Sequence, residues 1–266
     1  MTALASNAKK GTLRADIASH LQSNYAPPSA QWKITIPKLK KPHVNPYYDV
    51  WRWSCHNLEW AGPDEDTKNT MISHALLPVL YHHFGCIVPS YESLEIIKQV
   101  SNGRTIIDLG SGNGYWTHML RRMGDEKKPV KVVPVDSGLS EWRTIWIGDT
   151  VVSDGVKYLQ QHQDGRDQVL LLVYPQVGAD FTGKVLRAYS ECTAFLLVRE
   201  LTNARSEGDT IIVAGTQNAN GYTAFAKETI AEWMAREMPQ FEKVLQIPLP
   251  SFAGKDEALF VFRKPS

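Results

Sequence analysis

A chain of 266 residues with 43% hydrophobic and 21% charged residues is long enough for one sizeable core, or a core domain plus an extension, and has ordinary globular composition. Its formal net charge of +1 supplies no overall field toward nucleic acid or an anionic membrane, and the longest apolar run, Val169 to Tyr174, is strand-sized rather than membrane-spanning. Cys55, Cys86 and Cys192 are odd in number and form no C-x-x-C pair, which disfavours a disulfide framework or a zinc site and makes the cytoplasm, with the nucleus as second choice, the expected compartment. The first twenty residues lack an apolar signal-peptide core, and Asp16 with few arginines argues against an organellar presequence.

Residues 1–45 read as a flexible tail, because Pro27-Pro28 and the prolines at 37 and 42 break any regular element. Lys33, Lys38, Lys40 and Lys41 near Trp32 form a basic patch that reads as solvated tail rather than a nucleic-acid contact. Residues 46–89 are expected to be a helical extension or cap. Tyr47, Tyr48, Trp51, Trp53 and Trp60 need burial, either over a ligand cleft or against the outside of the core. Asp66 to Phe84 carries apolar residues at helical spacing, with a kink expected at Pro78. His82 and His83 adjoin each other and do not share a helix face, so with His74 they are not expected to bind metal. Ser90 is placed to cap a helix over Tyr91 to Val100, closed by Asn102-Gly103.

The stretch Thr105 to Trp116, TIIDLGSGNGYW, is where the rest converges. A short apolar run ending in alternating glycines is how a buried parallel strand turns tightly into a helix. Gly110, Gly112 and Gly114 suit positive φ and a ligand approaching the backbone, with Ser111 between them. A helix from Tyr115 and Trp116 to Met123 would aim its first N–H groups at the same place. The dinucleotide fingerprint G-x-G-x-x-G would need its third glycine where Tyr115 stands. Asp108-x-Gly110-x-Gly112-x-Gly114 instead resembles the first motif of the class I S-adenosylmethionine-dependent methyltransferases, a superfamily here represented without an assigned substrate. That resemblance implies S-adenosyl-L-methionine as cofactor, with its amino-acid end near Asp108.

Val130 to Val135 reads as the next strand, ending at Asp136-Ser137, where an acidic residue is placed to accept hydrogen bonds from ribose hydroxyls. A short strand Val151 to Ser153 and the helix Val156 to His162 follow. The resemblance implies an acidic contact to the adenine amino group here. Asp154 with Gly155 is one candidate, and Asp149 is its rival. Val169 to Val173 is the most uniformly apolar strand and belongs mid-sheet, so Tyr174 and Gln176 should border the transferring methyl. Amino-directed relatives often carry Asn or Asp followed by two prolines and an aromatic at this place. Here Tyr174-Pro175-Gln176 lacks the leading amide or carboxylate. Tyr174 is a catalytic candidate or a wall of the pocket.

Helices are expected over 184–189, 192–201 and 222–238, a strand over 209–214, and two closing strands over 241–247 and 258–263. The implied fold is a three-layer αβα, Rossmann-like methyltransferase fold over 90–266, a mostly parallel seven-stranded sheet with a closing antiparallel strand. The expected function is methyl transfer to an unidentified small molecule, protein or nucleic acid, with no membrane partner. The alternatives are a noncatalytic methyltransferase-like binding or scaffold protein, and an NAD(P)-dependent oxidoreductase.

Overall fold

The structure is a computed structural model, and it describes residues 34–39, 42–57, 76–178, 180–190, 208–252 and 254–265. The expected helix over 192–201, most of the basic patch, Trp60, His74 and the first part of the helix expected from Asp66 lie outside the described residues.

Seven strands form one sheet in the order β3-β2-β1-β4-β5-β7-β6. They are β1 (Ile106–Leu109), β2 (Val132–Asp136), β3 (Val151–Val152), β4 (Val169–Val173), β5 (Thr210–Thr216), β6 (Glu242–Pro248) and β7 (Glu257–Arg263). Strands β1 to β5 pair in parallel, while β7 runs antiparallel to both β5 and β6. Central β1, β4 and β5 are apolar on both faces because helices cover both. Ile106, Val169, Leu171 and Ile212 point into one apolar cluster, and Ile107, Leu170, Leu172 and Ile211 into the other. The first cluster is closed by α1 (Pro46–Asn57), α2 (Leu77–Phe84), α3 (Tyr91–Ser101) and α4 (Tyr115–Arg121). The second is closed by α5 (Gly155–Gln161), α6 (Phe181–Ser190) and α7 (Ile230–Glu237). This is the three-layer αβα, Rossmann-like architecture expected, a mostly parallel seven-stranded sheet with one antiparallel strand completing it.

The aromatic stretch after residue 45 packs into the first core. Tyr47 is fully buried, stacked on Phe84 at 4.7 Å and edge-on to Tyr115 at 5.9 Å, and Trp51 Nε1 donates to Ser251 O. Trp53, on the other side of α1, is half exposed. Pro78 does not kink a helix within the described residues. It stands in the first turn of α2, where a missing N–H costs nothing. Ser90 caps α3 in a reciprocal box with Ser93, and Asn102 ends it in the left-handed conformation.

The crossover from β2 to β3, residues 137–150, contains no helix, and its Trp-rich sequence turns back over the sheet end. One expectation changes. The helix expected over 222–238 begins only at Ile230, because Gly221 and Ala224 adopt positive φ. Thr229 is its true cap, exchanging bonds with Glu232. Thr229→Ala should therefore lower stability by about 1 kcal/mol, read as a drop in urea midpoint with unchanged slope.

Candidate active site

The strand order reverses between β1 and β4, and in open α/β sheets the crevice beyond that point is where ligands bind. Three structures meet there: the turn from β1 to α4, the end of β2, and the end of β4.

At the first, Gly110, Gly112 and Gly114 all adopt positive φ, 79°, 56° and 80°. Asp108 lies inside β1, fully buried, and its Oδ2 accepts a 2.6 Å hydrogen bond from Thr117 Oγ1 on α4. Among the described residues neither Asp108 Oδ1 nor Ser111 Oγ finds a partner, although both atoms are buried. Burial pushes the Asp108 carboxyl up to about 6, against the Thr117 bond and the Arg121 charge, with Asp136 adding to the rise. A buried oxygen lacking a partner costs on the order of 1–3 kcal/mol, so this corner calls for a donor that the described residues do not supply.

Asp136 at the end of β2 is drawn into the same corner. Its Oδ2 accepts from Gly112 N–H at 2.9 Å and its Oδ1 from Gly138 N–H at 2.8 Å. Each oxygen retains a lone pair for another donor, but the carboxylate also holds the glycine turn to β2. Ser137 beside it is exposed. Asp154 is exposed at the end of β3, where Oδ1 accepts from Lys157 N–H and caps α5. A Cβ on Gly155 would come within 2.5 Å of Leu109 Cδ2, so that glycine serves the packing of α5 on β1. The rival Asp149 forms a two-pronged pair with Arg121, at 2.9 and 2.7 Å. That guanidinium holds its carboxyl below the usual range, and Asp149 faces solvent rather than the corner.

The side chains of Tyr115 and Trp116 point away from the glycines. Tyr115 OH donates to Asn45 Oδ1 and accepts from Tyr47 N–H, while Trp116 Nε1 donates to Ile87 O. Both secure the N-terminal helices to α4, leaving only main chain to face the turn. Tyr174, one residue past β4, is half-buried at φ 51°, a strained conformation for an aromatic residue and of a kind that gathers at functional sites. Burial raises its hydroxyl well above the ordinary tyrosine value, so it is a neutral donor or wall, not a base.

A strap that has no signal in the sequence covers the corner. In the 137–150 connection, Arg143 N–H donates to His82 O, Trp146 N–H to Asn113 O and Trp146 Nε1 to His83 O. His82 and His83 contact Glu141 O and Thr144 Oγ1 through their Nδ1 atoms. Residues 141–146 thereby clamp α2 to the glycine turn. A Cβ on Gly112 would stand 2.8 Å from Trp142 Cζ2, and one on Gly114 only 2.2 Å from Ile147 Cγ1. At those two glycines it is the chain's own side chains, not a ligand, that approach the backbone. Gly110 is different: its nearest such neighbour, Phe181 Cζ, lies 3.9 Å away.

A cavity of about 750 Å³ lies at the opposite, amino-terminal end of the sheet, beside Lys98, Arg104, Lys128 and Lys131. Arg104 there is bound to Asp209 and Thr210, and the cavity meets the carbonyl end of α3, which repels anions. It is separate from the corner.

The residues present fit an adenosyl amino acid at the corner's Gly110 side. An ammonium suits the free Asp108 Oδ1, a carboxylate or hydroxyl suits Ser111 Oγ, and paired hydroxyls suit the remaining lone pairs of Asp136. A dinucleotide fits less well, since the position of the third fingerprint glycine holds the buried, doubly bonded Tyr115. No protein-family description and no curated protein sequence matches the chain. Among solved structures it is similar to a Pyrococcus horikoshii protein provisionally assigned as an RNA methyltransferase (13% identity, TM-score 0.42, 65% of this chain and 82% of that one). It is also similar to human N-acetylserotonin methyltransferase in complex with SAM (12% identity, TM-score 0.34, 83% and 67%). TrmN from Thermus thermophilus is a third (13%, 0.36, 65% and 48%). Likenesses this distant decide neither cofactor nor acceptor. Among the described residues no group of side chains is arranged to hold a metal ion, and no helix is long and apolar enough to cross a membrane.

Proposed function

We propose that this protein is an S-adenosyl-L-methionine-dependent methyltransferase, with a small molecule, protein or nucleic acid as acceptor. The observation that carries the reading is a pair of buried oxygens, Asp108 Oδ1 and Ser111 Oγ, that find no partner among the described residues, beside Gly110 at the switch point of the sheet. When bound, the sulfonium supplies an activated methyl group, so the protein's task is alignment and exclusion of water. Asp108 would hold the ammonium, Ser111 and the main chain of Gly110 the carboxylate end, and Asp136 the ribose. Ser137, Asp154 and Gly155 flank the adenine side. Tyr174 would wall the methyl.

Calorimetric titration of the full chain with S-adenosylhomocysteine tests this directly. Binding in the micromolar range, weakened on the order of 10-fold or more by Ser111→Ala, is expected. Absence of heat and of any thermal shift at millimolar ligand would overturn the reading. A second reading, a noncatalytic protein keeping the fold as a binding scaffold, is favoured by one observation: Trp142 and Ile147 seal Gly112 and Gly114. It predicts no binding until the strap is loosened, so Trp142→Ala should then create binding where the parent shows none.

A further inference from the structure

At the same end of the sheet lies a second group of polar side chains that the corner does not use. Glu257 opens β7 opposite Thr216 at the end of β5. It shares a strand face with Leu259 and Val261, which lie in the first core, the face that also carries α2 and Asp108. The carboxyl is almost fully buried, and among the described residues its Oε1 has no hydrogen-bond partner. The hydroxyl of Tyr81 on α2 is likewise buried and unpartnered. The two groups lie within electrostatic range of each other and of Cys86 and Tyr174. Residues 83–85 of α2 and its cap reach the glycine turn: Asn113 Nδ2 donates to His83 O, and Asn113 Oδ1 lies near Gly85. The second group therefore sits between the methyl-bordering residue of β4 and the far edge of the sheet.

We propose that Glu257, with the Tyr81 hydroxyl, is the site that receives the methyl acceptor, and that it selects an acceptor presenting a protonated amine. The proposal rests on the methyl-transfer reading above and names its substrate class. The charge balance around Glu257 supports a cation. Tyr47 and Tyr81 from α1 and α2, Cys86, and Tyr174 from β4 are all driven by burial toward their neutral, protonated forms. Tyr222 is a partly exposed ring at the rim. Ser251 stands beside the Glu257 main chain, its Oγ accepting from Glu257 N–H. The neighbouring Asp256 carboxylate is taken up by Asn218 and Asn220. Among the described residues the cation acting on Glu257 is Lys255, whose Nζ sits 3.7 Å over the Tyr222 ring. Burial pushes the Glu257 carboxyl up to about 7, against Ser251, its own backbone and Lys255, with Asp256 adding to the rise.

An ammonium entering this site gives Oε1 the donor it lacks and offers Tyr81 Oη a donor as well. The carboxylate then takes the ammonium's proton. The N–H bond breaks, its electrons stay on nitrogen as the lone pair that methyl transfer requires, and the proton ends on Glu257 Oε1. A carboxyl near neutrality is matched to that exchange in a way a surface glutamate is not.

The test uses the full chain with phenethylamine as probe and 2-phenylethanol as its uncharged counterpart, at mildly alkaline pH. Thermal shift and carbon NMR of the glutamate carboxyls are the readouts, with Glu257→Gln assigning the resonance. The amine, not the alcohol, should raise the melting temperature and move the Glu257 midpoint down from about 7. Glu257→Gln should abolish both effects and leave S-adenosylhomocysteine binding unchanged. Tyr81→Phe, the milder variant, should weaken the amine by on the order of 10-fold. Equal effects of amine and alcohol, an unmoved midpoint, or full amine binding by Glu257→Gln would each overturn the proposal. If S-adenosylhomocysteine binding is absent in the parent while the amine binds Glu257, the corner reading fails and Glu257 is left as an amine-binding carboxylate with no methyl to receive. If the ligand binds and the amine does not, only this proposal fails.

Discussion

Replacing Gly114 by alanine should lower stability by about 2–5 kcal/mol. Two costs combine. Gly114 stands at φ 80° at the start of α4, a conformation that penalises a Cβ by about 1–2 kcal/mol. The added carbon would also fall 2.2 Å from Ile147 Cγ1 and 2.4 Å from its Cδ1, which forces the strap off the turn at a further cost of about 1–3 kcal/mol. Urea denaturation reads the sum as a lower midpoint. The strap component is separable. Ile147→Ala removes the colliding atoms, so the double variant should recover the second cost but not the first, and the cycle gives their coupling. If Gly114→Ala melts with the parent, the strap does not rest where the structure puts it.

That strap marks the boundary of what the residues disclose about themselves. The turn from β1 to α4 is legible because each requirement is local: an apolar run, then positive φ at three alternate positions that only glycine meets cheaply. Strand β4 is legible for the same reason, since a strand buried on both faces is apolar throughout. The closing strands show as two short runs, 241–247 and 258–263, joined in the manner of a hairpin, and Ser90 shows in its place just before an apolar-periodic run. What does not show is non-local. Residues 139–147 carry two tryptophans and two isoleucines with no helical or alternating period, and it takes contacts across the chain, Trp142 over Gly112 and Ile147 over Gly114, to reveal what they cover. Tyr115 and Trp116 follow the glycines in sequence, yet a helix turns their side chains toward Asn45 and Ile87. A glycine-rich motif is thus ambiguous about who approaches it, ligand or protein. Glu257 escapes notice because one glutamate before ALFVF looks like a strand boundary. Its burial follows from pairing with Thr216, a contact between residues distant in the chain. A signal is present all the same, a carboxyl in phase with Leu259 and Val261, and strand parity alone is enough to find it.

Asp108→Asn should have opposite effects on the free and the liganded protein, and that opposition separates a binding carboxylate from a structural one. In the free protein the Asp108 carboxyl is raised from an ordinary 3.8 to about 6 by burial. The folded state thus holds a proton that the unfolded chain has released between those values. The stabilisation is complete below pH 3.8, declines as pH rises, and is gone above about 6. Keeping that buried carboxylate ionised at neutral pH costs the folded state roughly 3 kcal/mol. Asparagine carries no charge and still offers an oxygen to Thr117, so the variant should unfold at a higher urea concentration than the parent at pH 7–8 and at a similar one near pH 4. Glu257, raised by burial to about 7, titrates in the same direction and remains in both proteins, so the difference between them isolates Asp108. An ammonium on Oδ1 reverses the preference, because it favours the ionised carboxyl that the free protein resists. Affinity for S-adenosylhomocysteine in the parent should therefore climb with pH up to about 6 and then level. In Asp108→Asn it should be lower by on the order of 100-fold at pH 7 and lack that rise. A variant more stable at neutral pH yet unchanged in affinity would remove Asp108 from the binding site and leave it as a buried strand carboxyl serving Thr117 alone.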